Sequence, residues 1–278
     1  MTTALSGRRI LVTGIADESS LALPIAVAAQ HAGAGLVCAG LGATSHHAAL
    51  SPAARSYLDD VNAAFRKTVT ERLGGDVPTF VLDAGLDASI DDLAVALAER
   101  DLRLDGLVHA IALDRTIRGG VAKPLLEVTR GEFLDCMSIS AYSLIALVRA
   151  LLEKGVLQDG ASVVALSYLG AERVMPHPYR NIGVAKAALE RIVRELAVEL
   201  GGAHGIRVNA VRFSPWTKSR AGGAIPGLDD AVVQCGARAP LGNAAPESLA
   251  QEVVHLLRPG LGVTGELRHV DGGYHVLG

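Results

Sequence analysis

Short apolar runs alternate with longer, Ala-rich segments along the whole chain, and this alternation limits the possible folds more than any other feature. The apolar runs are continuous, as in strands covered on both faces, and the segments between them are typical of helices. Predicted strands occupy residues 9–13, 35–40, 79–82, 106–112, 162–167, 207–212 and 266–270. The pattern predicts an α/β fold, a Rossmann-like, doubly wound parallel sheet of about seven strands with helices on both faces.

No internal repeat, low-complexity tract or change of composition divides the chain, so we expect residues 1–278 to form a single domain. Residues 213–243 are rich in Gly, Pro and Ala without a clear period, and we predict a substrate-covering loop there. Ligands of such sheets bind outside the carboxyl ends of the strands. The candidate site residues are therefore those that follow each strand.

Composition restricts the class of partner. Half of the residues are hydrophobic but only 4% are aromatic, which suits a core of Ala, Val, Leu and Ile. The net charge is −3 with mixed signs, so we expect no nucleic acid and no membrane as partners. The cysteines Cys38, Cys136 and Cys235 are far apart, and we expect neither a disulfide framework nor a metal site. We expect a soluble, cytoplasmic protein.

The first predicted strand ends at a glycine turn that leads into a helix, which is how dinucleotide-binding units begin. The helix N-terminus offers free N–H groups and a positive dipole end to a pyrophosphate. The G-x-G-x-x-G pattern is absent, and only Gly14 stands in the turn, while Ser20 can cap the helix and donate its hydroxyl to a phosphate. We expect a single dinucleotide-binding domain whose phosphate contacts are Gly14, Ile15, Ala16, Ser20 and Leu21.

Further cofactor contacts are expected after the other strands. No acidic residue follows the second strand, where an acid often binds the adenosine ribose. His46, His47 and Arg55 are either partners of a 2′-phosphate or ordinary loop residues, so the cofactor is NADH or NADPH, with NADH slightly favoured. An Asp after the third strand either accepts from an adenine amino group or caps the next turn. The expected contacts are Leu41, Asp83, Ala84, Ala110, Ile111, Ala112, Ser214, Pro215, Trp216 and Thr217.

Two tyrosines and a lysine lie between residues 167 and 189, where the fifth strand gives way to a helix. Tyr179 and Lys186 are seven residues apart, or about two helical turns, so on a helix they share one face roughly 10 Å apart along the axis. A phenol and an ammonium at the mouth of a strand can do acid chemistry on a carbonyl. For an arbitrary Tyr/Lys pair, the structural interpretation is the commoner one: the tyrosine lies at a helix start and the lysine on a solvated face, with no catalytic role.

The most specific motif is SYLGAER followed by Tyr-x6-Lys. On the basis of this motif and the segments given below, nearly the whole chain resembles the short-chain dehydrogenase/reductase superfamily. Within that superfamily it resembles the NAD(P)H-dependent enoyl-acyl-carrier-protein reductases. Ordinary members of the superfamily space their Tyr and Lys by four, which would need a tyrosine where Ile182 stands. Other matching segments are GRRILVTGIADESSLALPIA, DGLVHAIA, SISAYSLIALVRALL, GIRVNAV and TGELRHVDGGY.

The resemblance implies that Tyr179 steadies the thioester oxygen as an acid, that Lys186 holds the nicotinamide ribose, and that Tyr168 lines the acyl pocket. It implies reduction of the 2,3-double bond of an enoyl thioester linked to acyl carrier protein or coenzyme A, by a homotetramer and without a metal. A nearby lysine is expected to lower the pKa of the phenol. His177, with no acidic partner in view, is interpreted as a loop residue.

Several positions depart from the family pattern. Pro24 replaces a glycine, Ala110-Ile111-Ala112 replaces Ser-Ile-Gly, and Ser214-Pro215-Trp216 replaces Gly-Pro-Ile. The added side-chain atoms narrow the cofactor site. His177-Pro178 adds one residue between the two tyrosines. We interpret these changes as those of a diverged enzyme that acts on an unusual acyl thioester, in secondary metabolism or fatty-acid synthesis.

Two alternatives stay open. The same tyrosine and lysine would serve another short-chain reductase or dehydrogenase that acts on a carbonyl or an alcohol. The changed positions would also suit a non-redox protein on this scaffold, with a cyclase, isomerase or binding role.

Overall fold

The computed structural model describes residues 4–47 and 49–277. Seven strands form one parallel sheet in the order β3-β2-β1-β4-β7-β8-β9. A separate two-stranded hairpin, β5-β6, lies outside it. The strands are β1 Arg9–Thr13, β2 Gly35–Gly40, β3 Thr79–Val81, β4 Leu104–His109, β5 Ile117–Arg118, β6 Val121–Ala122, β7 Leu157–Tyr168, β8 Arg207–Phe213 and β9 Leu267–Val270.

Helices cover both faces of the sheet, as predicted. Apolar side chains of α3, α5 and α6 pack on one face, and those of α1, α2 and α9 pack on the other. Burial of both faces explains the continuous apolar strands. The helices are α1 Ala22–His31, α2 Pro52–Leu73, α3 Asp87–Glu99, α4 Arg130–Met137, α5 Ser143–Glu153, α6 Arg180–His204, α7 Arg220–Gly223, α8 Leu228–Arg238 and α9 Pro246–Leu257.

The strand order reverses between β1 and β4, so the topological switch point of the sheet lies between the ends of these two strands. Gly14 follows β1 with a φ of 87°. A Cβ at Gly14 would lie 2.1 Å from the main-chain oxygen of Ala110, which follows β4. Only glycine therefore permits this close approach of the two loops.

The apolar segment over residues 130–154 indicates one long helix, but that helix is interrupted. A π-helical segment, Ser138–Tyr142, separates α4 from α5, and the Ser143 hydroxyl donates to the Ile139 oxygen over 2.7 Å. The Ser140 hydroxyl accepts from the Leu113 N–H and so ties the segment to the loop after β4. Within the described residues, Arg130–Glu153 is the one helical stretch long and apolar enough to cross a membrane, and most of it is buried in the protein.

Residues 213–243, predicted as a substrate-covering loop, are not a loop throughout. The segment contains α7 and α8, and α8 buries Leu228, Ala231 and Cys235. These buried residues recur at helical spacing, but glycines and prolines on either side hide the pattern. The predicted strand over 106–112 also ends earlier, at His109, so Ala110, Ile111 and Ala112 belong to a loop.

Candidate active site

The tyrosine–lysine pair lies at the carboxyl end of β7, as the sequence predicts. Tyr179 is the N-cap residue of α6, with a φ of −91°, and Lys186 follows within the helix. Tyr168 is the last residue of β7. One strand and the helix after it therefore position all three candidate residues.

Lys186 is held below the surface by main-chain oxygens. It is 4% exposed, and its Nζ donates to the oxygens of Leu166, over 2.8 Å, and Ile111, over 3.3 Å. Burial lowers the pKa of the Lys186 ammonium from 10.5 to about 8. Because an ammonium has three donors, one N–H is left for a ligand after these two bonds.

The Tyr179 ring packs where two glycines leave room for it. A Cβ at Gly170 would lie 2.4 Å from Cδ1 of Tyr179, and a Cβ at Gly183 would lie 3.3 Å from the same atom. The expectation of a lowered phenol pKa is wrong: burial is the largest cause acting on this group, and it raises the Tyr179 pKa above its usual value. The phenol therefore stays protonated and can donate a hydrogen bond.

Three aromatic rings form a cluster beside the pair. The Tyr168 and Tyr179 ring centroids are 4.9 Å apart in an edge-to-face arrangement, and the His177 centroid lies 5.6 Å from that of Tyr168 and 5.9 Å from that of Tyr179. The residue inserted before Tyr179 thus leaves the two tyrosines in contact. His177 lies in the loop before α6, as interpreted from the sequence, but it is only 3% exposed.

Hydrogen bonds within the turn after β1 stabilise it. Ser20 Oγ accepts from the N–H groups of Ala16 and Asp17, and α1 begins only at Ala22, so Ser20 does not cap the helix as expected. The Ala16 N–H is engaged, whereas the N–H groups of Leu21 and Ala22 have no protein partner among the described residues. Ile15, 1% exposed, is a core residue. The serine hydroxyl hydrogen and these N–H groups are among the donors that this turn offers an anion.

At the predicted adenine end of the site, Asp83 is paired with a histidine. Asp83 accepts from the Gly85 N–H, and its other oxygen is 2.9 Å from His47 Nε2. The adenine-binding role expected for Asp83 would therefore compete with His47. Leu41 accepts from the Asn62 side chain over 3.1 Å. Ala84 lies in the turn after Asp83.

The segment after β8 contacts the turn after β1. The Ser214 hydroxyl accepts from the Ala244 N–H over 2.9 Å, and the Ser214 N–H donates to Val270. The Trp216 indole N–H donates to the main-chain oxygen of Ser19, over 3.4 Å. Pro215 is buried and Thr217 is half-buried in the same segment. The Trp216 side chain thus joins this segment to the turn after β1.

A buried ion network lies behind the pair and was missed by the sequence reasoning. Arg212 donates to both carboxylate oxygens of Glu190, which also accepts from the Ser167 hydroxyl over 2.7 Å. Arg212 and Glu190 are 3% and 4% exposed. Because Glu190 is four residues after Lys186, it lies on the same face of α6. That four-residue spacing was the available sequence signal for a carboxylate near Lys186.

A buried histidine was also missed. His109 ends β4, and its Nε2 lies 2.8 Å from the Ser143 hydroxyl. Burial, together with the nearby Lys186 charge, lowers the pKa of His109 to about 3. The imidazole is therefore neutral and adds no second cation near the ammonium.

The chain is similar in sequence to proteins of one known family. A model of the enoyl-(acyl carrier protein) reductase family matches residues 53–275. The chain is 34% identical to the enoyl-(acyl-carrier-protein) reductase (NADH) FabI of Synechocystis over 278 residues, which cover 99% of this chain and 98% of that protein.

Solved structures extend the similarity to three dimensions. The enoyl-(acyl-carrier-protein) reductase (NADH) of Aquifex aeolicus has a TM-score of 0.82 at 34% identity, with 99% of each chain covered. The Bacillus cereus enoyl-acyl carrier protein reductase, solved with NADP+ and indole naphthyridinone, has a TM-score of 0.82 at 30% identity and the same coverage. This chain belongs to the enoyl-acyl-carrier-protein reductase family of the short-chain dehydrogenases/reductases.

Proposed function

We propose that this protein uses NADH to reduce the 2,3-double bond of a 2-enoyl thioester carried by acyl carrier protein, as in fatty-acid synthesis. The observation that carries the proposal is the seven-residue spacing of Tyr179 and Lys186 at the carboxyl end of β7. The names of the relatives support the substrate and the cofactor.

The residues around the switch point fit a dinucleotide. The turn after β1 offers the Ser20 hydroxyl and the N–H groups of Leu21 and Ala22 to a pyrophosphate, next to the glycine that keeps the two loops close. Lys186 retains one N–H donor for ribose hydroxyls. We assign the cofactor contacts predicted from the sequence to the loops around the switch point. Asp83 would bind the cofactor while also paired with His47, and the Ala16 N–H is not a contact because it donates to Ser20.

The side chains stabilise charge that appears on the substrate. Bound NADH would supply a hydride to the β-carbon of the enoyl group, which would move electrons onto the thioester oxygen, and a proton from water would then complete the reduction at the α-carbon. The Tyr179 hydroxyl, which is protonated at neutral pH like any phenol, donates to that oxygen. The Lys186 ammonium adds positive charge nearby and orients the ribose, while Tyr168 lines the acyl pocket.

Other expectations also belong to this proposal. We propose a single domain spanning residues 1–278, a homotetramer and a cytoplasmic enzyme. Neither the hydride transfer nor the phenol's hydrogen bond requires a metal, and we propose none. Coenzyme A thioesters are expected to replace the carrier-protein substrate in assays.

One assay separates the proposed reaction from its alternatives. Purified protein should consume NADH with a 2-enoyl thioester and not with a 3-keto thioester. The opposite preference would identify a carbonyl reductase on the same scaffold. A titration in which neither NADH nor NADPH binds would identify a non-redox protein.

The rate is expected to depend on the charge of Lys186. The free ammonium is protonated below a pKa of about 8, so kcat/KM for NADH should be level at neutral pH and fall about tenfold per unit above pH 8. Steady-state kinetics at limiting NADH between about pH 6 and 10 test this. Lys186→Ala should weaken NADH binding and remove the inflection. A wild-type profile that stays level to about pH 10 would contradict the role of the charge.

A further inference from the structure

Two buried polar side chains next to the catalytic tyrosine have no hydrogen-bond partner. Neither ring nitrogen of His177 has one, and neither has the Tyr168 hydroxyl, among the described residues. His177 is 3% exposed and Tyr168 is 9% exposed. Buried polar groups are nearly always paired, so three unpaired atoms within one aromatic cluster require an explanation.

The unpaired atoms oppose folding. A phenylalanine at position 177 would offer a similar ring without the two nitrogens, and burying unpaired polar groups is unfavourable. Side chains that cost stability in this way are typically kept for function. Because burial lowers the pKa of His177 to about 4, the imidazole is neutral at physiological pH and offers one donor and one acceptor.

Apolar side chains pack beside these groups. Leu169 and Met175 pack with Tyr168 in one apolar cluster. The same two residues line a cavity of about 350 Å³ together with Arg173, Arg238 and Tyr274, and none of the three clustered rings is part of that lining. An acyl chain whose thioester oxygen lies at the Tyr179 hydroxyl would begin near this aromatic cluster, because the ring centroids of Tyr168 and His177 are 4.9 and 5.9 Å from that of Tyr179.

We propose that His177 and Tyr168 recognise a hydroxyl or carbonyl oxygen on the acyl chain, so that the enzyme prefers oxygenated 2-enoyl thioesters to plain hydrocarbon ones. The inference rests on the proposed enoyl reduction and names its substrate class. A ligand hydroxyl can donate to the imidazole and accept from the phenol, which pairs groups that a hydrocarbon chain leaves unpaired. Sites built to hydrogen-bond a substrate hydroxyl discriminate strongly against analogues that lack it.

The test compares matched substrates. The coenzyme A thioester of trans-2-hexenoic acid is assayed against three analogues with a hydroxyl on the fourth, fifth or sixth carbon, by NADH consumption. In the wild type, at least one hydroxylated substrate should have a kcat/KM about tenfold or more above the plain one. His177→Phe should bring this ratio close to one, Tyr168→Phe should lower it, and His177→Gln, whose amide keeps a donor and an acceptor, should preserve part of it.

The control is His204→Phe at the far end of α6, where the histidine is paired with Asp159 near the surface and should leave the ratio unchanged. A wild-type ratio close to one with every analogue would overturn this inference and leave enoyl reduction standing. A high ratio that survives in His177→Phe would overturn it as well. If no thioester supports NADH consumption, the proposed function fails, and this inference fails with it.

Discussion

Tyr179→Phe is expected to lower kcat with an enoyl thioester by about 10²- to 10³-fold, the usual loss when one oxyanion donor is removed. The phenyl ring keeps the packing against Gly170 and the edge-to-face contact with Tyr168, so only the hydroxyl is lost. NADH affinity should stay near the wild-type value, because the ribose contact is assigned to Lys186. Steady-state kinetics and a fluorescence titration with NADH measure the two quantities separately.

The matched control is Tyr57→Phe, which removes a hydroxyl from an exposed tyrosine on α2 and should leave both quantities unchanged. If Tyr179→Phe retained the wild-type kcat, the phenol would not be the donor to the thioester oxygen. A loss of NADH affinity as large as the loss in kcat would instead show that the tyrosine organises the cofactor cleft.

The parts of the fold that sequence predicts well are those with an uninterrupted local pattern. The bounds of β1 and β2 agree with prediction at every residue, because each strand is a continuous apolar run with glycine or polar residues beside it. The hairpin β5-β6 was missed because its strands are only two residues long. The break in the helix at Ser138–Tyr142 was missed because the residues there are apolar and polar in ordinary helical proportions.

The site was predictable where chemistry is encoded by spacing, and not where it depends on partners distant in sequence. The seven-residue step from Tyr179 to Lys186 is local, and the structure places both residues at the predicted end of β7. The burial of His177 depends on contacts with the two tyrosines, and the pairing of Asp83 depends on a loop 36 residues before it. Such tertiary contacts have no signature in a single sequence.

The ion pair between Arg212 and Glu190 gives the second large effect. Arg212→Met should lower the free energy of unfolding by about 3–5 kcal/mol, because it leaves the Glu190 carboxylate buried without its charged partner. For a chain of this size, that loss lowers the melting temperature on the order of 10 °C. Glu190→Gln should lower the free energy of unfolding less, because the guanidinium keeps its ion pair with the half-exposed Glu172 and the amide oxygen can still accept a hydrogen bond from it. Thermal and urea unfolding measure both variants.

The double variant Arg212→Met with Glu190→Leu distinguishes a buried charge from a packing defect. Removing both charges also removes the unpaired one, so the double variant should be more stable than the sum of the single effects predicts. Arg191→Met, which breaks an exposed ion pair with Glu195 on the same helix, should change stability by less than about 1 kcal/mol. Additive effects in the double variant would mean that the two side chains stabilise the protein independently. In that case the pairing of Arg212 with Glu190 would not be needed to fix the Glu190 carboxylate, which accepts from Ser167 at the end of β7.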